Sequence, residues 1–267
     1  QILRDLEIPN ATVFRYDVDR PNIALVREVK ESEPERVRLV AGLLRQHQGR
    51  GKALVFVPTI RVGKSLVASL RAFGLEVPFY HGQLDPLERQ SLQGRFTGQL
   101  EPAVDAVVCT NAFGMGLDVP NIRLVVHWVQ PESMEDYLQE IGRAGRDGEP
   151  ALAVVLKCQG DTGIRRYLAE KSAENAAGPG AAGEALADRY RSIDLLDRAI
   201  RDRLHCFRAP LLDYFGAGGP PRRRSLVMRL LEWLFALRPR VAKAQFCCDA
   251  CDSRRALELL RDARQAA

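Results

Sequence analysis

This sequence lacks the features that would send it to or through a membrane. No apolar run approaches the roughly 18 residues that a spanning helix needs. Residues 1–6 carry charges where a secretory signal would have an apolar stretch. There is no initiator Met, so the chain is expected to begin inside a longer protein. Cysteine is scarce, with six residues in 267. Without a secretory signal, this usage argues against a disulfide framework. Cys109 and Cys158 stand in apolar runs and read as small buried hydrophobes. The other four, Cys206, Cys247, Cys248 and Cys251, crowd the last quarter and read as a metal site.

A phosphate-binding P-loop is also missing. Gly63-Lys64-Ser65 follows an apolar run, as the end of such a loop would. The loop needs a glycine five residues earlier, so that backbone N–H groups can wrap phosphates. That position is Pro58, which has no N–H and a fixed φ. No Asp-Glu pair ends any expected strand, so the usual Mg2+-holding group is absent too. By itself, this chain is not expected to hydrolyse a nucleotide. There is no internal repeat.

Charge is present but uneven. From Arg189 onward there are 17 Lys and Arg against 9 Asp and Glu, a net of +8, while the whole chain carries +5. A basic tail on a slightly acidic body points to a polyanionic partner, or to a solvated helical surface.

The body alternates regularly. The continuous apolar run at 53–57 has the pattern of a strand buried on both faces, and further buried strands are expected at 104–109, 123–128 and 151–156. Shorter strands are expected at 12–16, 23–29 and 76–80. Helical spacing marks 34–48, 62–73, 86–96, 134–141 and 160–171. Strict alternation means βαβ units and a parallel sheet, an α/β fold with helices on both faces. A small-residue stretch at 173–183 reads as a linker. Beyond it come an amphipathic helix at 184–204, a Gly/Pro turn, an apolar helix at 226–237 and the cysteine cluster.

Residues 139–148 concentrate the chemistry. Arg143 and Arg146 each follow a glycine. Their planar forks suit phosphate oxygens and could stabilise charge on a transferring phosphoryl group. The plainer reading is a glycine-rich turn with solvated arginines. In an open parallel sheet, ligands bind beyond the carboxyl ends of the strands. Thr59 and Arg61, His81, and Thr110 stand at three such ends and could hold a nucleic-acid backbone without reading bases. Singly, each could equally be a helix cap or a turn residue.

Several stretches resemble one family. Residues 53–61, 80–82, 110–118 and 137–148 resemble motif IV, a following turn, motif V and motif VI of RecQ-family helicases. Residues 52–150 as a whole are similar to the second RecA-like lobe of that superfamily 2 group. The resemblance implies that Arg143 and Arg146 face the γ-phosphate of ATP bound on the first lobe, with Gln139 as the motif VI glutamine. It implies that Gly116 and Asp118 lie near the nucleotide, and that Thr59, Arg61 and Thr110 touch DNA. The segment around Cys206 and the 248–251 CxxC resembles the family's zinc subdomain. Here 40 residues separate Cys206 from Cys247, and Cys247 abuts Cys248, which leaves Cys247 or, as a substitute, His205 as the fourth ligand, or else a degenerate site with the tail held by packing.

The expected organisation follows. Residues 1–30 form an inter-lobe segment, 31–172 a RecA-like lobe, 173–183 a linker, and 184–267 a small, mainly helical zinc-binding subdomain. The chain would be the C-terminal half of an ATP-dependent, 3′ to 5′ DNA helicase. ATP with Mg2+ would be held mainly by the absent first lobe, and Zn2+ by the cysteines. Partners would be single-stranded and partially duplex DNA and the N-terminal lobe of the same protein, in the nucleoid or the nucleus according to source, with no membrane. The rival readings are a non-catalytic DNA-binding lobe and a nucleotide kinase built on Gly63-Lys64-Ser65. Read this way, Arg143 and Arg146 would stand idle and exposed in this chain alone.

Overall fold

The structure, a computed structural model, describes residues 18–30, 32–113, 118–177, 183–216 and 247–267. The strand expected at 12–16, the helix expected at 226–237 and Gly116 lie outside them.

Six strands are described: β1 (Ile23–Val29), β2 (Lys52–Phe56), β3 (Phe79–Tyr80), β4 (Ala106–Cys109), β5 (Ile122–His127) and β6 (Ala151–Lys157). Eight helices are described: α1 (Glu33–His47), α2 (Ile60–Ala72), α3 (Pro86–Thr97), α4 (Met134–Ile141), α5 (Asp161–Ala177), α6 (Gly183–Arg201), α7 (Arg208–Tyr214) and α8 (Ser253–Ala266). The strands form one sheet in the order β1-β6-β5-β2-β4-β3, and every pairing is parallel. All carboxyl ends therefore share one edge.

Alternation along each strand feeds two cores, one per face. On one face, Leu25, Phe56, Cys109, Val125 and Val155 pack with α3, α4, α6 and α7 through Phe96, Tyr137, Ile200 and Phe207. On the other, Val26, Val55, Val108, Val126 and Val154 meet α1, α2 and α8 through Val40, Leu66 and Leu260. No helix among the described residues is long and apolar enough to cross a membrane.

Several boundaries differ from the sequence-based expectation. β1 is an integral edge strand, so residues 23–29 of the expected inter-lobe segment belong to the sheet. Helix α5 runs on to Ala177, into the stretch expected to be a linker. The described parts of 184–267 lie on both faces of the sheet: α6 and α7 on one face, and α8 on the other against α1. Gly42 makes the α1–α8 approach possible, since a Cβ there would lie 1.7 Å from the Ala263 carbonyl oxygen. Gly63-Lys64-Ser65 lies inside α2, with Gly63 packed on the Phe79 ring, and is no phosphate loop.

Candidate functional site

Helix α4 delivers the arginine-bearing turn. Ser133 caps it, accepting from the Asp136 N–H at 3.1 Å. Met134, Tyr137 and Ile141 bury one stripe. The same spacing leaves Gln139, Glu140 and Arg143 on the side facing a cleft of about 280 Å3. Pro58 from the end of β2 and Asn111 from the end of β4 line the opposite side, with Asp136 beside the helix. The segments resembling motifs IV, V and VI thus meet at one cleft over the carboxyl edge of the sheet.

The geometry corrects the picture of idle arginines. Arg143 is half-buried, and burial lowers its pKa from the ordinary value while Glu140 opposes the shift. Glu140 is itself fixed, its Oε2 2.8 Å from Nε2 of the buried His127, which stacks on Phe56. Arg146 pairs with Asp118 at 3.0 Å, with the two side chains 37% and 83% exposed. This ties a motif V residue to motif VI. An ion pair so exposed is worth only about 0–1 kcal/mol, so it is cheap to exchange for another anion.

The predicted backbone-contact residues line the neighbouring half of the rim, in the strand order β2-β4-β3. Thr59 is the N-cap of α2 and accepts from the Val62 N–H at 3.2 Å, which leaves its O–H able to donate. Arg61 is exposed on the first turn of α2. Thr110 is largely buried and donates its N–H to the Tyr80 carbonyl at 3.1 Å. His81 is buried against Phe79; burial first, then Lys64, pushes its imidazole below the ordinary pKa.

The sequence reading passed over Arg20 and Asn22, which hold the arginine turn from behind. Arg20 donates to the carbonyls of Gly142, Ala144 and Gly145 at 3.2, 3.0 and 2.6 Å. Asn22 Nδ2 donates to Gly145 and Glu149 at 2.8 and 3.0 Å. Gly145 has φ +55, and a Cβ there would meet Asn22 Nδ2 at 2.4 Å, so glycine is required. In the sequence they stand out only as the Arg-Pro-Asn break ahead of β1, to which the family resemblance weakly extends.

The cysteines gather at the far edge of the sheet. Sγ atoms of Cys206, Cys247, Cys248 and Cys251 all lie within 4.8 Å of one another, and Cys206 is 3.8 Å from both Cys247 and Cys248. A tetrahedral ion with thiolates at ~2.3 Å would set sulfurs ~3.8 Å apart, so the four thiols fit zinc. His205 points elsewhere: its ring pairs with Asp202 at 2.7 Å and is 76% exposed. Hydrogen bonding from Cys206 foremost lowers Cys248, while the bond to Cys247 foremost raises Cys206, which is the behaviour of a thiolate held among thiols.

Two buried arginines fasten this corner to β1. Arg27 grips Asp249 of the CxxC with two nitrogens at 3.0 and 3.1 Å and lies 5.0 Å over Phe207. Arg208 donates to Asp19 and to the carbonyls of Arg20, Ile23 and Cys247. The backbone of Cys247–Asp249 adds a bridge to Leu25 at the open edge.

The conserved C-terminal domain of helicases matches residues 35–148. The probable ATP-dependent DNA helicase RecS of Bacillus subtilis is 34% identical over 84% of this chain and 42% of its own length. The ATP-dependent DNA helicase RecQ of Synechocystis is 35% identical over 65% of this chain and 37% of its own length. The chain thus spans about two-fifths of these relatives. The structure of S. cerevisiae Dbp5 bound to RNA and ADP BeF3 superposes with a TM-score of 0.50 at 20% identity, covering 72% of this chain and 52% of that one. At that identity it shows the fold alone, a RecA-like sheet.

Proposed function

This chain carries the C-terminal lobe of a RecQ-family helicase, and on that premise we propose that it forms the arginine side of an ATP site shared with a preceding lobe. The whole protein is then an ATP-driven DNA helicase. The observation that carries the reading is the single cleft where Pro58, Asn111, Gln139 and Arg143 converge on the carboxyl edge of the sheet.

ATP and its Mg2+ are held by the other lobe, because the helix that contains Gly63-Lys64-Ser65 offers no phosphate loop. Arg143 and Arg146 reach across to the γ-phosphate and stabilise the charge that spreads over it during transfer. Arg146 exchanges the Asp118 carboxylate for a phosphate oxygen at little cost. Gln139 faces the same cleft and orients the reacting group. Gly116 stands with Asp118 in the segment closest to the nucleotide. Thr59, Arg61, His81 and Thr110 hold the phosphate backbone of one DNA strand, without reading bases. His81 does so as a neutral imidazole, since burial keeps its pKa low. Opening and closing of the cleft moves that strand in the 3′ to 5′ direction of the family.

Cys206, Cys247, Cys248 and Cys251 are the Zn2+ ligands. A bound zinc ion would cross-link the segment before α7 to the segment before α8. Arg27 and Arg208 fix the ligand loop against β1.

The test is DNA-stimulated ATP turnover of the full-length protein carrying Arg146→Ala. The expected loss is about 10³-fold or more. Unchanged turnover removes the arginine reading, and DNA binding indifferent to ATP would favour a non-catalytic lobe. A zinc-to-protein ratio near one in purified protein supports the metal site; a ratio near zero removes it.

A further inference from the structure

Arg20 lies far outside the arginine turn in sequence, where the family resemblance extends only weakly, yet its bonds go to that turn. The carbonyls that it binds, of Gly142, Ala144 and Gly145, flank Arg143 and lead directly into Arg146. Peptide planes are rigid, so holding the Gly142 and Gly145 carbonyls fixes the planes that enter Arg143 and Arg146, and with them the position of each arginine's Cα. The launch points of both arginines are therefore set from more than 120 residues away. Without that grip, the turn would depend on two glycines, one of them in the left-handed region.

The grip is itself anchored. Arg208, 6% exposed, donates to the Asp19 carboxylate and to the Arg20 carbonyl, tying down the Arg20 backbone and the side chain just before it. Asn22 supplies the second donor to Gly145, whose carbonyl accepts from both residues. Nor is Arg20 needed to seat β1. Seven register pairs with β6, the Leu25 bridge and the Arg27–Asp249 pair already do that.

We propose that Arg20, with Asn22 as its second donor, is a positioning residue for ATP hydrolysis, holding the 142–146 turn so that Arg143 and Arg146 address the nucleotide together. A guanidinium can serve three carbonyls from one plane, whereas an ammonium on a flexible stem cannot hold the same fork. The inference rests on the arginine reading above and names what sets its geometry.

The experiment compares Arg20→Lys, Asn22→Ala and Arg143→Ala in the full-length protein. It reads ATP turnover, KM for ATP, nucleotide-free DNA affinity and amide hydrogen exchange. Arg20→Lys is expected to lower kcat about 10-fold, the scale of a slight misplacement of catalytic groups. KM and DNA affinity should stay within about two-fold, and exchange should accelerate at 142–149 while β1 and β6 stay protected. Asn22→Ala should show the same pattern more weakly, and it decides the matter if Arg20→Lys fails to fold. Unchanged kcat in both variants, or faster exchange spread through β1 and β6, overturns the proposal. If Arg143→Ala also turns over normally, the arginine reading falls with it. If Arg143→Ala is inactive and both other variants are normal, only the positioning role is lost.

Discussion

The cysteine corner and the arginine rim use the same residue type to opposite ends. At the corner, Arg27 is 0% exposed and saturated by a carboxylate, backbone carbonyls and an aromatic face. At the rim, Arg146 is 37% exposed and paired with the solvated carboxylate of Asp118. Breaking the first arrangement leaves a buried charge without its partner, at about 3–5 kcal/mol. Giving up the second costs about 0–1 kcal/mol. A protein that must grip and release phosphate needs arginines of the second kind, set on a frame held by the first kind.

The largest effect on stability should therefore come from the corner. Asp249→Ala is expected to destabilise by about 3–5 kcal/mol, read as a lower urea midpoint with an unchanged slope. A loss under about 1 kcal/mol would erase the contrast between the two regions. Next comes Gly145→Ala, at the join between the rim and its clamp. Its φ of +55 and the 2.4 Å approach of Asn22 predict about 1–3 kcal/mol, again by urea titration. A smaller change is expected from Asp118→Asn, which should alter stability by less than about 1 kcal/mol. A drop of several kcal/mol would mean that the rim is as closed as the corner.

The smallest effect concerns His81. Its imidazole is held below the ordinary value of about 6.5, first by burial and then by Lys64. The unfolded chain thus binds the proton more readily than the folded one. Stability from this residue is complete above about pH 6.5 and declines as pH falls below it. His81→Gln should flatten the difference in urea midpoint between pH 5.5 and 7.5. An unaltered difference would mean that other groups set it.

Much of this was legible in the sequence, for physical reasons. Parallel strands buried on both faces need largely apolar runs, and these stood out at 53–57, 124–126 and 151–156. The turn at 139–148 carried its own signal, because closely spaced glycines and arginines are rarely needed for packing alone. Three thiols within 247–251, with Cys206 separated from them by 40 residues, announced the cluster, and the structure turns the alternative ligand His205 towards Asp202. What stayed hidden was long-range and made of single contacts. Arg20 reaches carbonyls more than 120 residues away, and nothing in its neighbours encodes that. Helix α8 escaped notice because its buried stripe is only Ala256, Leu260 and Ala263, closed against a glycine on α1. β1 looked like a lead-in strand because its partner, β6, is the last strand of the sheet.

That last pairing has a consequence for how the protein is made. Ile23 pairs with Ala151, and Val29 with Lys157. A ribosome adds roughly 5–20 residues per second, so β1 leaves it on the order of ten seconds before its partner exists. During that interval an apolar strand waits with both edges unpaired, the state most open to wrong association. The sheet can be completed only late in synthesis. Early handling of the nascent chain, more than the stability of the finished fold, should govern how much of it is recovered.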